Sequence, residues 1–292
     1  MSKSILAMGV VLATVTGILL AVSAAMAAEE DRFPLRKKWP DLAPISTSEL
    51  AAARSLNEAV VVDVRTAAEY DIMHIEGSHH FPHDAFLLRE PELSALTQRP
   101  HKVLVFYCNG TTCTKSYKAA ELATSLRYKG VRVYDDGIFE WAKTYPEETL
   151  FFGRKMTRAN VEQFLVNEED FAKGPWLVDT LQFIEMAKSR LYTVLDIRDS
   201  REKVEYPIQL PDLKEATIDQ LVKQLKADAF PKSKVLVLDN VGKQVIWVKY
   251  YFDRNGVKDY FFLRGGVRQW RADGRDSKGD KLGKVYGRPA PK

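Results

Sequence analysis

The stretch VLVFYCNGTTCTKSYKAAELATSLRYKG (103–130) has the pattern of a strand, a tight loop and a helix. Its first four residues are apolar, as in a strand that is buried on both faces. A buried strand that leads through a short loop into a helix is typical of α/β proteins with a parallel sheet. The loop also contains both cysteines of the 292-residue chain, Cys108 and Cys113.

The same pattern occurs twice along the chain. A buried strand ending in Asp-x-Arg is found in AVVVDVRTAAEY (59–70) and in YTVLDIRDSREK (192–203). Further on, VLVFYCNG (103–110) matches VLVLDNVG (235–242), and VRVYDDGIFEW (131–141) matches KDYFFLRGGVRQW (258–270). Landmarks in the same order at nearly constant spacing predict two copies of one α/β unit, each a mainly parallel sheet flanked by helices.

The two copies differ where the strand ends and the loop begins. Matching VLVFYCNG to VLVLDNVG places Asn240 opposite Cys108, and Val241, Val245, Ile246 and Trp247 then form an apolar loop. Asparagine offers no nucleophile. We therefore predict that thiol chemistry belongs to the first copy, that the second copy is a silent packing partner, and that a cysteine at position 240 would keep a nearly ordinary pKa of about 8.5.

Both copies resemble the rhodanese family. The motifs that carry the resemblance are VVDVRTAAEYDIMHIEGSHHFP (61–82), YCNGTTCTKSYKAAELA (107–123) and YDDGIFEWAKTYP (134–146), with VLDIRD (194–199) and FFLRGGVRQWRADG (261–274) in the second copy. The resemblance implies a catalytic rhodanese-like domain at 45–146, a linker at 147–175 and an inactive rhodanese-like domain at 176–273. In the best-known tandem members the C-terminal copy is the active one, so this chain would have the reverse arrangement.

By this resemblance, Cys108 would take the outer sulfur of thiosulfate as a persulfide, release sulfite, and pass the sulfur to cyanide or a thiol. The substrate-binding loop would be Asn109, Gly110, Thr111, Thr112 and Cys113. Family members that use thiosulfate often carry Arg within or at the end of this loop, where this chain has Cys113. A polysulfide or persulfide donor therefore stays open beside thiosulfate. Cys113 could attack the Cys108 persulfide and leave a disulfide.

The residues also support anion chemistry at Cys108 independently of the family. A loop of small residues can direct its backbone N–H groups inward, and a helix that begins near Thr114 directs its N-terminal dipole at the same point. Both effects favour a thiolate and activate it as a nucleophile. We expect Lys115 and His80 to be possible contacts of the substrate in the cleft.

Other roles for the two cysteines are less well supported. A cysteine phosphatase needs an Arg six residues after its cysteine, and position 114 is Thr. A zinc site needs about four ligands, so His79, His80 or His83 would have to supplement the cysteines. We interpret those histidines mainly as surface-loop residues, with contact to the substrate in the cleft as the alternative, and expect neither a metal nor a cofactor. Asp63 and Arg65 recur as Asp196 and Arg198 beside the loop without cysteine, which indicates a structural role.

The two ends of the chain differ in composition from the body. Residues 1–27 combine an early Lys3, a long apolar run and an Ala-Met-Ala ending, which predicts a cleaved signal peptide and a periplasmic or secreted protein. An uncleaved membrane anchor is the alternative. The net charge of +4 is concentrated in 271–292, which has seven basic and three acidic residues. We predict a flexible basic tail at 274–292 and a near-neutral body without affinity for nucleic acid.

The function predicted from these features is an exported sulfurtransferase with a small sulfur-containing donor, thiosulfate or polysulfide, and a thiol acceptor. No stable membrane insertion is expected after cleavage, and the sequence names no protein partner. Two alternatives remain open. One is a non-catalytic periplasmic carrier of sulfane sulfur, and the other is a thiol–disulfide redox module formed by Cys108 and Cys113.

Overall fold

The computed structural model describes residues 31–98, 103–165 and 168–282. The predicted signal peptide and residues 283–292 of the predicted tail lie outside these ranges. The chain forms two compact units. The first comprises the described residues up to Thr66 together with Met73–Val161, and the second comprises Ala67–Ile72 and the described residues from Glu162 onward.

The first unit is an α/β structure with a five-stranded parallel sheet of order β1-β6-β5-β2-β4 and a three-stranded antiparallel sheet of order β3-β7-β8. Its strands are β1 (Ala43–Pro44), β2 (Ala59–Asp63), β3 (Met73–Ile75), β4 (His79–His80), β5 (Val103–Tyr107), β6 (Val131–Tyr134), β7 (Thr149–Phe151) and β8 (Arg154–Lys155). The helices of this part of the chain are α1 (Thr47–Ser55), α2 (Ala67–Ile72, grouped with the second unit), α3 (Glu90–Leu96), α4 (Thr114–Ser125), α5 (Gly137–Thr144) and α6 (Arg158–Phe164).

The second unit contains a five-stranded parallel sheet of order β11-β10-β12-β13-β9. Its strands are β9 (Leu177–Val178), β10 (Thr193–Asp196), β11 (Leu213–Glu215), β12 (Ser233–Leu238) and β13 (Lys258–Leu263). The helices that follow α6 are α7 (Glu168–Ala172), α8 (Thr180–Lys188), α9 (Ser200–Glu205), α10 (Ile218–Lys226), α11 (Val245–Arg254) and α12 (Gly266–Ala272).

The two parallel sheets have the same topology, since β1, β6, β5, β2 and β4 correspond in order to β9, β13, β12, β10 and β11. The central strands β5 and β12 are the apolar runs recognised in the sequence, and both are buried over their last four residues. Parallel strands covered by helices must be apolar on both faces, which explains why these runs do not alternate. The predicted fold class is confirmed in that the chain is an α/β structure whose two units each contain a parallel sheet flanked by helices.

Matching capping boxes start the helix after the first strand of each sheet. The Ser46 side chain accepts the backbone N–H of Glu49 at the start of α1, and the Asp179 side chain accepts that of Gln182 at the start of α8. In both cases the third helical residue bonds back to the cap. These caps satisfy N–H groups that a helix cannot bond internally, so they fix where each helix begins.

The first part of the predicted tail is bonded to the rest of the second unit. The Ser277 carbonyl accepts the backbone N–H of Gln209 at 2.7 Å, and the Asp276 carbonyl accepts the indole N–H of Trp270 at 2.8 Å. Lys188 pairs with Asp280 at 3.0 Å. Residues 274–282 are therefore structured. In the described ranges, no helix combines the length and apolar composition needed to cross a bilayer.

Candidate active site

The loop with both cysteines connects β5 to α4 at the carboxyl end of the first parallel sheet. Cys108 directly follows the last residue of β5, and α4 begins at Thr114, as predicted. β5 is the central strand of the sheet. Open α/β sheets bind their ligands at the carboxyl ends of their strands, so the loop lies where the fold places its functional sites.

Cys108 and Cys113 form a disulfide, with their Cα atoms 6.2 Å apart. Cys108 is buried, with 1% of its surface exposed, and Cys113 is half-buried at the residue before α4. In this state neither sulfur is a thiolate. Any reaction that uses Cys108 as a nucleophile must therefore follow reduction of this bond.

The start of α5 contacts the backbone of the cysteine loop. The Cys108 carbonyl accepts the backbone N–H of Ile138 at 3.1 Å. Gly137 has φ +75°, and a Cβ atom placed there would lie 2.5 Å from the backbone of Asn109 and Gly110. Only glycine permits both this conformation and this approach. Gly137, in the motif YDDGIFEWAKTYP (134–146), thus supplies the backbone surface that contacts the cysteine loop.

Gly137→Ala is expected to destabilise the protein by about 2 kcal/mol or more and to impair any activity that depends on the loop. The change adds a methyl group inside the Asn109 backbone contact and also imposes the left-handed conformation on alanine. Urea unfolding measures the loss of stability.

The matched control is Gly77→Ala, because Gly77 also has φ +75° but nothing lies within 4 Å of its added Cβ. In that variant the free energy of unfolding should fall by only about 1 kcal/mol, because alanine is placed in the left-handed conformation without a steric contact. Equal losses of stability in the two variants would show that the contact with the loop is unimportant.

Polar side chains behind the loop were not identified from the sequence. The buried carboxylate of Asp135 accepts hydrogen bonds from Arg36 Nε at 2.8 Å and from Tyr117 Oη at 2.6 Å. Trp39 stacks on Tyr117 with ring centroids 5.1 Å apart. Burial is the main reason why the pKa of Tyr117 is raised, so its hydroxyl remains a donor. These contacts connect the segment around Arg36 to α4 and to the turn before α5. In the sequence, the acidic pair before Gly137 was the one signal that could have indicated this cluster.

The two residues predicted as possible cleft contacts lie in different settings. His80 is in β4, and its Nε2 atom is 3.0 Å from the Arg65 carbonyl oxygen. Lys115 is in the first turn of α4, half-buried. Within the described residues, no group of three or more His, Cys, Asp and Glu side chains is arranged to hold a metal ion.

The Asp-x-Arg motif has the predicted structural role in both units. Arg65 is fully buried and bonds to both carboxylate oxygens of Asp63, the shortest contact being 2.6 Å. Arg198 makes the same contacts with Asp196, also with a shortest distance of 2.6 Å. Arg65 also contacts the cysteine loop, with its Nη1 atom 3.4 Å from Asn109 Oδ1.

The strand register corrects the predicted match between the two loops. Tyr107, the last residue of β5, pairs with Asp63 of β2. Leu238, the last residue of β12, pairs with Asp196 of β10. Because the two aspartates occupy the same place in the repeat, Tyr107 and Leu238 are equivalent, and each loop begins at the next residue.

Cys108 is therefore equivalent to Asp239, and the prediction that Asn240 replaces the nucleophile is wrong by one residue. The backbone agrees, because the Asp239 carbonyl accepts the N–H of Val267 at 2.9 Å, as the Cys108 carbonyl accepts that of Ile138. Two apolar strand sequences can be aligned in more than one register, and for this reason the alignment from sequence was shifted by one residue. In this register the two loops have equal length, CNGTTC (108–113) and DNVGKQ (239–244).

The apolar residues assigned to the second loop also lie elsewhere. Val245, Ile246 and Trp247 form the buried first turn of α11 and are not part of a loop. The side chain of Asn240 donates from Nδ2 to Glu202 Oε1 at 2.6 Å. Asn240 therefore has a structural partner of its own, and the residue that fills the loop is its neighbour.

Asp239 is fully buried, and its carboxylate lies inside the curve of the second loop. One oxygen accepts the backbone N–H of Gly242 at 2.6 Å and the other that of Gln244 at 2.7 Å. The N–H groups of Lys243 and Val245 also bond to it. Burial raises the pKa of this carboxyl, and the N–H groups oppose the shift. Since all four partners are donors, the loop is built around an acceptor anion.

A cysteine at position 239 is expected to have a pKa above the ordinary value of about 8.5, whereas a cysteine at position 240 should stay near it. The reason is that residue 239 is fully buried, and burial raises the pKa of the group at this position more than the converging N–H groups lower it, as for the native Asp239. Asp239→Cys and Asn240→Cys are compared in a protein whose two native cysteines are serine, by the pH dependence of alkylation with iodoacetamide. Equal pKa values, or the higher value at position 240, would contradict the structural register.

Similarity to known proteins agrees with this geometry. The family described as "Rhodanese-like domain" matches residues 46–144. Thiosulfate sulfurtransferase GlpE of Pseudomonas fluorescens is 34% identical over 101 residues, which cover 33% of this chain and 84% of that protein. Arsenate reductase 2.1 of Oryza sativa subsp. japonica is 33% identical over 99 residues, covering 32% of this chain and 61% of that protein. The solved structure of thiosulfate sulfurtransferase from Pseudomonas aeruginosa aligns with 82% of this chain and 44% of that chain, at 18% identity and a TM-score of 0.37.

The chain spans 40% and 61% of the length of the first two curated relatives that it matches. The relation to the Pseudomonas fluorescens sulfurtransferase is more complete, since most of that protein is covered at 34% identity. The match to the family described as "Rhodanese-like domain" at residues 46–144 includes the strand that leads into the cysteine loop. On the combined evidence of this similarity, the matched domain and the α/β fold, the chain belongs to the rhodanese family of sulfurtransferase-like proteins.

Proposed function

We propose that this protein is a sulfurtransferase that moves sulfane sulfur through a persulfide on Cys108. The observation that carries the proposal is the position of Cys108 at the carboxyl end of the central strand of a rhodanese-like unit, in a loop whose counterpart encloses an anion. The N–H groups that hold Asp239 in the second loop correspond to those of Thr111, Thr112, Cys113 and Thr114. In the structure the Cys113 N–H donates to the Gly110 carbonyl at 3.0 Å. A thiolate or persulfide on Cys108 would therefore be stabilised by the N–H groups of Thr111, Thr112 and Thr114.

The proposed reaction begins from the reduced protein. The Cys108 thiolate attacks the outer sulfur of thiosulfate, a new S–S bond forms, and sulfite leaves with the electron pair of the broken S–S bond. An acceptor thiolate or cyanide then attacks the outer sulfur and regenerates the Cys108 thiolate. A polysulfide or persulfide could replace thiosulfate as donor, in which case the leaving group is the shortened sulfur chain.

Cys113 gives the persulfide a second fate. Its thiolate can attack the inner sulfur of the Cys108 persulfide, expelling HS⁻ and forming the Cys108–Cys113 disulfide. That product is the bonded pair of the structure. A thiol reductant must then supply two electrons before the next cycle, so the rate of disulfide reduction would limit turnover when reductant is scarce.

Cys113→Ser is expected to retain full loading of sulfur on Cys108 and to need no reductant. Serine has the size that the end of the loop requires but cannot attack the persulfide or close a disulfide. The loaded variant should therefore keep its sulfur for longer than the wild type when no acceptor is added. Mass spectrometry of both proteins over time measures this lifetime, and a variant that fails to take up sulfur at all would show that Cys113 takes part in the first step.

The direct test of the proposal is the intact mass of the reduced protein, freed of reductant, before and after addition of thiosulfate. Addition of one sulfur atom that is located at Cys108 and removed by cyanide is the expected result. Polysulfide is tested in parallel as the donor. If neither donor adds sulfur to Cys108, the proposal is wrong.

A thiol–disulfide redox function is the second candidate, and the disulfide itself favours it. One matched relative is named an arsenate reductase. The reaction in that name, reduction of arsenate, consumes two electrons. In this case the reduced Cys108–Cys113 pair would deliver two electrons to an acceptor and return to the disulfide. Oxidation of the dithiol by arsenate without any sulfur loading would favour this function over sulfur transfer.

We further propose that the protein is exported, on the basis of residues 1–27. A disulfide between Cys108 and Cys113 is compatible with an oxidising compartment. Cell fractionation followed by N-terminal sequencing tests this proposal. A mature N-terminus close to residue 28 in a periplasmic or secreted fraction is expected, and a retained Met1 would contradict cleavage.

A further inference from the structure

A cavity of about 530 Å³ opens in the second unit at the carboxyl end of its parallel sheet. Its floor includes Asn240 and Val241, the two residues after Asp239, and its walls are formed by α9 and α12. The location is again the edge at which α/β sheets bind ligands. Its volume lies within the range of small-molecule sites. Sulfur transfer is excluded here because the loop beneath holds a carboxylate where the first unit has its cysteine.

One wall of the cavity presents two arginines. Arg268 and Arg271 are three residues apart on α12, so their side chains leave the helix on the same side. The backbone N–H of Arg268 donates to the Asn240 carbonyl at 2.8 Å, which fixes this end of the helix to the cavity floor. The Arg271 guanidinium lies over the Tyr206 ring, 5.0 Å from its centroid. For the Arg268 guanidinium, no ion pair is found with any residue of the described ranges.

The opposite wall carries acidic groups, and the more buried of them is already bonded. The Glu202 carboxylate accepts Asn240 Nδ2 at 2.6 Å and the backbone N–H of Asp199 at 3.2 Å. Burial raises the pKa of Glu202. Glu205 lies on the same helix and is exposed. The hydrogen-bonding capacity that remains at the cavity therefore consists mainly of guanidinium donors, with Glu205 as an acceptor at the rim.

The first unit shows that these arginines are not required by the fold. Gly137 and Gly266 both have positive φ, and each approaches the backbone of the second loop residue, Asn109 in the first unit and Asn240 in the second. Counting from these glycines, Phe139 and Ala142 occupy the positions of the two arginines. The helix thus forms equally well with apolar residues, and the charged pair is specific to the second unit.

We propose that the second unit binds a small organic oxyanion in this cavity. Its carboxylate, sulfonate or phosphate group would be bracketed by Arg268 and Arg271, since guanidinium groups bind such oxyanions through paired N–H donors. Its organic part would lie over Val241 and Val267, with a hydroxyl or amino group directed to Asn240 or Glu205. The second unit would then be a ligand-binding module.

The test is isothermal titration of the full-length protein with three probes that differ in their oxyanion: malate, 2-hydroxyethanesulfonate and glycerol 3-phosphate. Glycerol is the uncharged control and inorganic sulfate is the control for a bare anion. At least one organic probe should bind with a Kd below about 1 mM. Binding should weaken at least about tenfold in Arg268→Gln and in Arg271→Gln.

Two further variants complete the experiment. Lys258→Gln removes an exposed positive charge at the opposite end of β13 and should leave binding unchanged. Cys108→Ser should also bind normally, so that failure of the sulfurtransferase proposal and failure of this one are distinguishable. The inference is overturned if no organic probe binds with a Kd below about 1 mM, if sulfate binds as tightly as the best organic probe, or if the arginine variants bind like the wild type.

Discussion

Cys108→Ser is expected to lower the rate of sulfur transfer by more than about a thousandfold while leaving the fold intact. A serine hydroxyl is not ionised near neutral pH and cannot hold a sulfane sulfur as a persulfide. The loop keeps its length, its Gly137 contact and the helix start at Thr114, so the structure should change little. Steady-state assays with thiosulfate and cyanide measure the effect, and circular dichroism checks the fold.

The matched control for this variant is Cys113→Ser, which loses the same disulfide but keeps the proposed nucleophile. Removal of the disulfide therefore acts equally in both proteins, and only the presence of a thiol at position 108 differs. Activity of Cys108→Ser within a few-fold of the wild type would end the assignment of Cys108. If both variants lost sulfur loading completely, the two cysteines would have to act together in the first step.

Asp239→Ala is expected to destabilise the protein by about 3 kcal/mol or more, which makes it the stability variant with the largest predicted effect. The carboxylate is fully buried and accepts N–H groups along the loop 242–245. Alanine would leave these donors without a partner at the start of α11, and each buried donor left unpaired costs about 1–3 kcal/mol. Urea unfolding followed by fluorescence and circular dichroism measures the change.

Asp179→Ala serves as the control, because Asp179 also accepts helical N–H groups but does so as an exposed N-cap of α8. Loss of such a cap typically costs about 1 kcal/mol. A similar loss in both variants would mean that the second loop does not depend on its carboxylate. Partial recovery of the Asp239→Ala protein by added formate, a small carboxylate, would support an anion-binding loop.

Asp239 also clarifies the chemistry proposed for the first unit. The two loops have the same length and are followed by helices that start at equivalent residues, Thr114 and Val245. In one loop the Asp239 carboxyl group is enclosed by backbone N–H groups. In the other, the side chain at the same position is a cysteine, which can form a thiolate, a persulfide or a disulfide. The second unit thus has the anion-binding geometry that the first unit would use during the proposed sulfur transfer.

The fold was largely predictable from local sequence. Apolar runs at 59–63, 103–107, 193–196 and 233–238 became the central parallel strands because strands covered by helices on both faces must be apolar throughout. The structural role of Asp63 and Arg65 followed from their recurrence as Asp196 and Arg198 in the unit whose loop has no cysteine. The position of Cys108 and the helix start at Thr114 followed from the change of pattern from strand to helix.

The counterpart of Cys108 could not be obtained in this way. VLVF and VLVL can be aligned in neighbouring registers with nearly equal similarity, and the choice depends on which residues pair across β2–β5 and β10–β12. Those hydrogen bonds join residues that are about forty positions apart, so no local pattern contains them. The same holds for the Arg36–Asp135–Tyr117 cluster and for the arginine-lined cavity, whose members come from distant segments.

By itself, the sequence determined that this protein has two α/β units and that both of its cysteines, five residues apart, lie in the first of them. These conclusions depend on composition and periodicity, which are properties of neighbouring residues. Only the tertiary structure decided that the cysteines are joined, that Gly137 supports their loop, and that Asp239 is the residue in the place of Cys108. Strand register and close packing decide these points, because they are set by hydrogen bonds and contacts between segments that are distant along the chain.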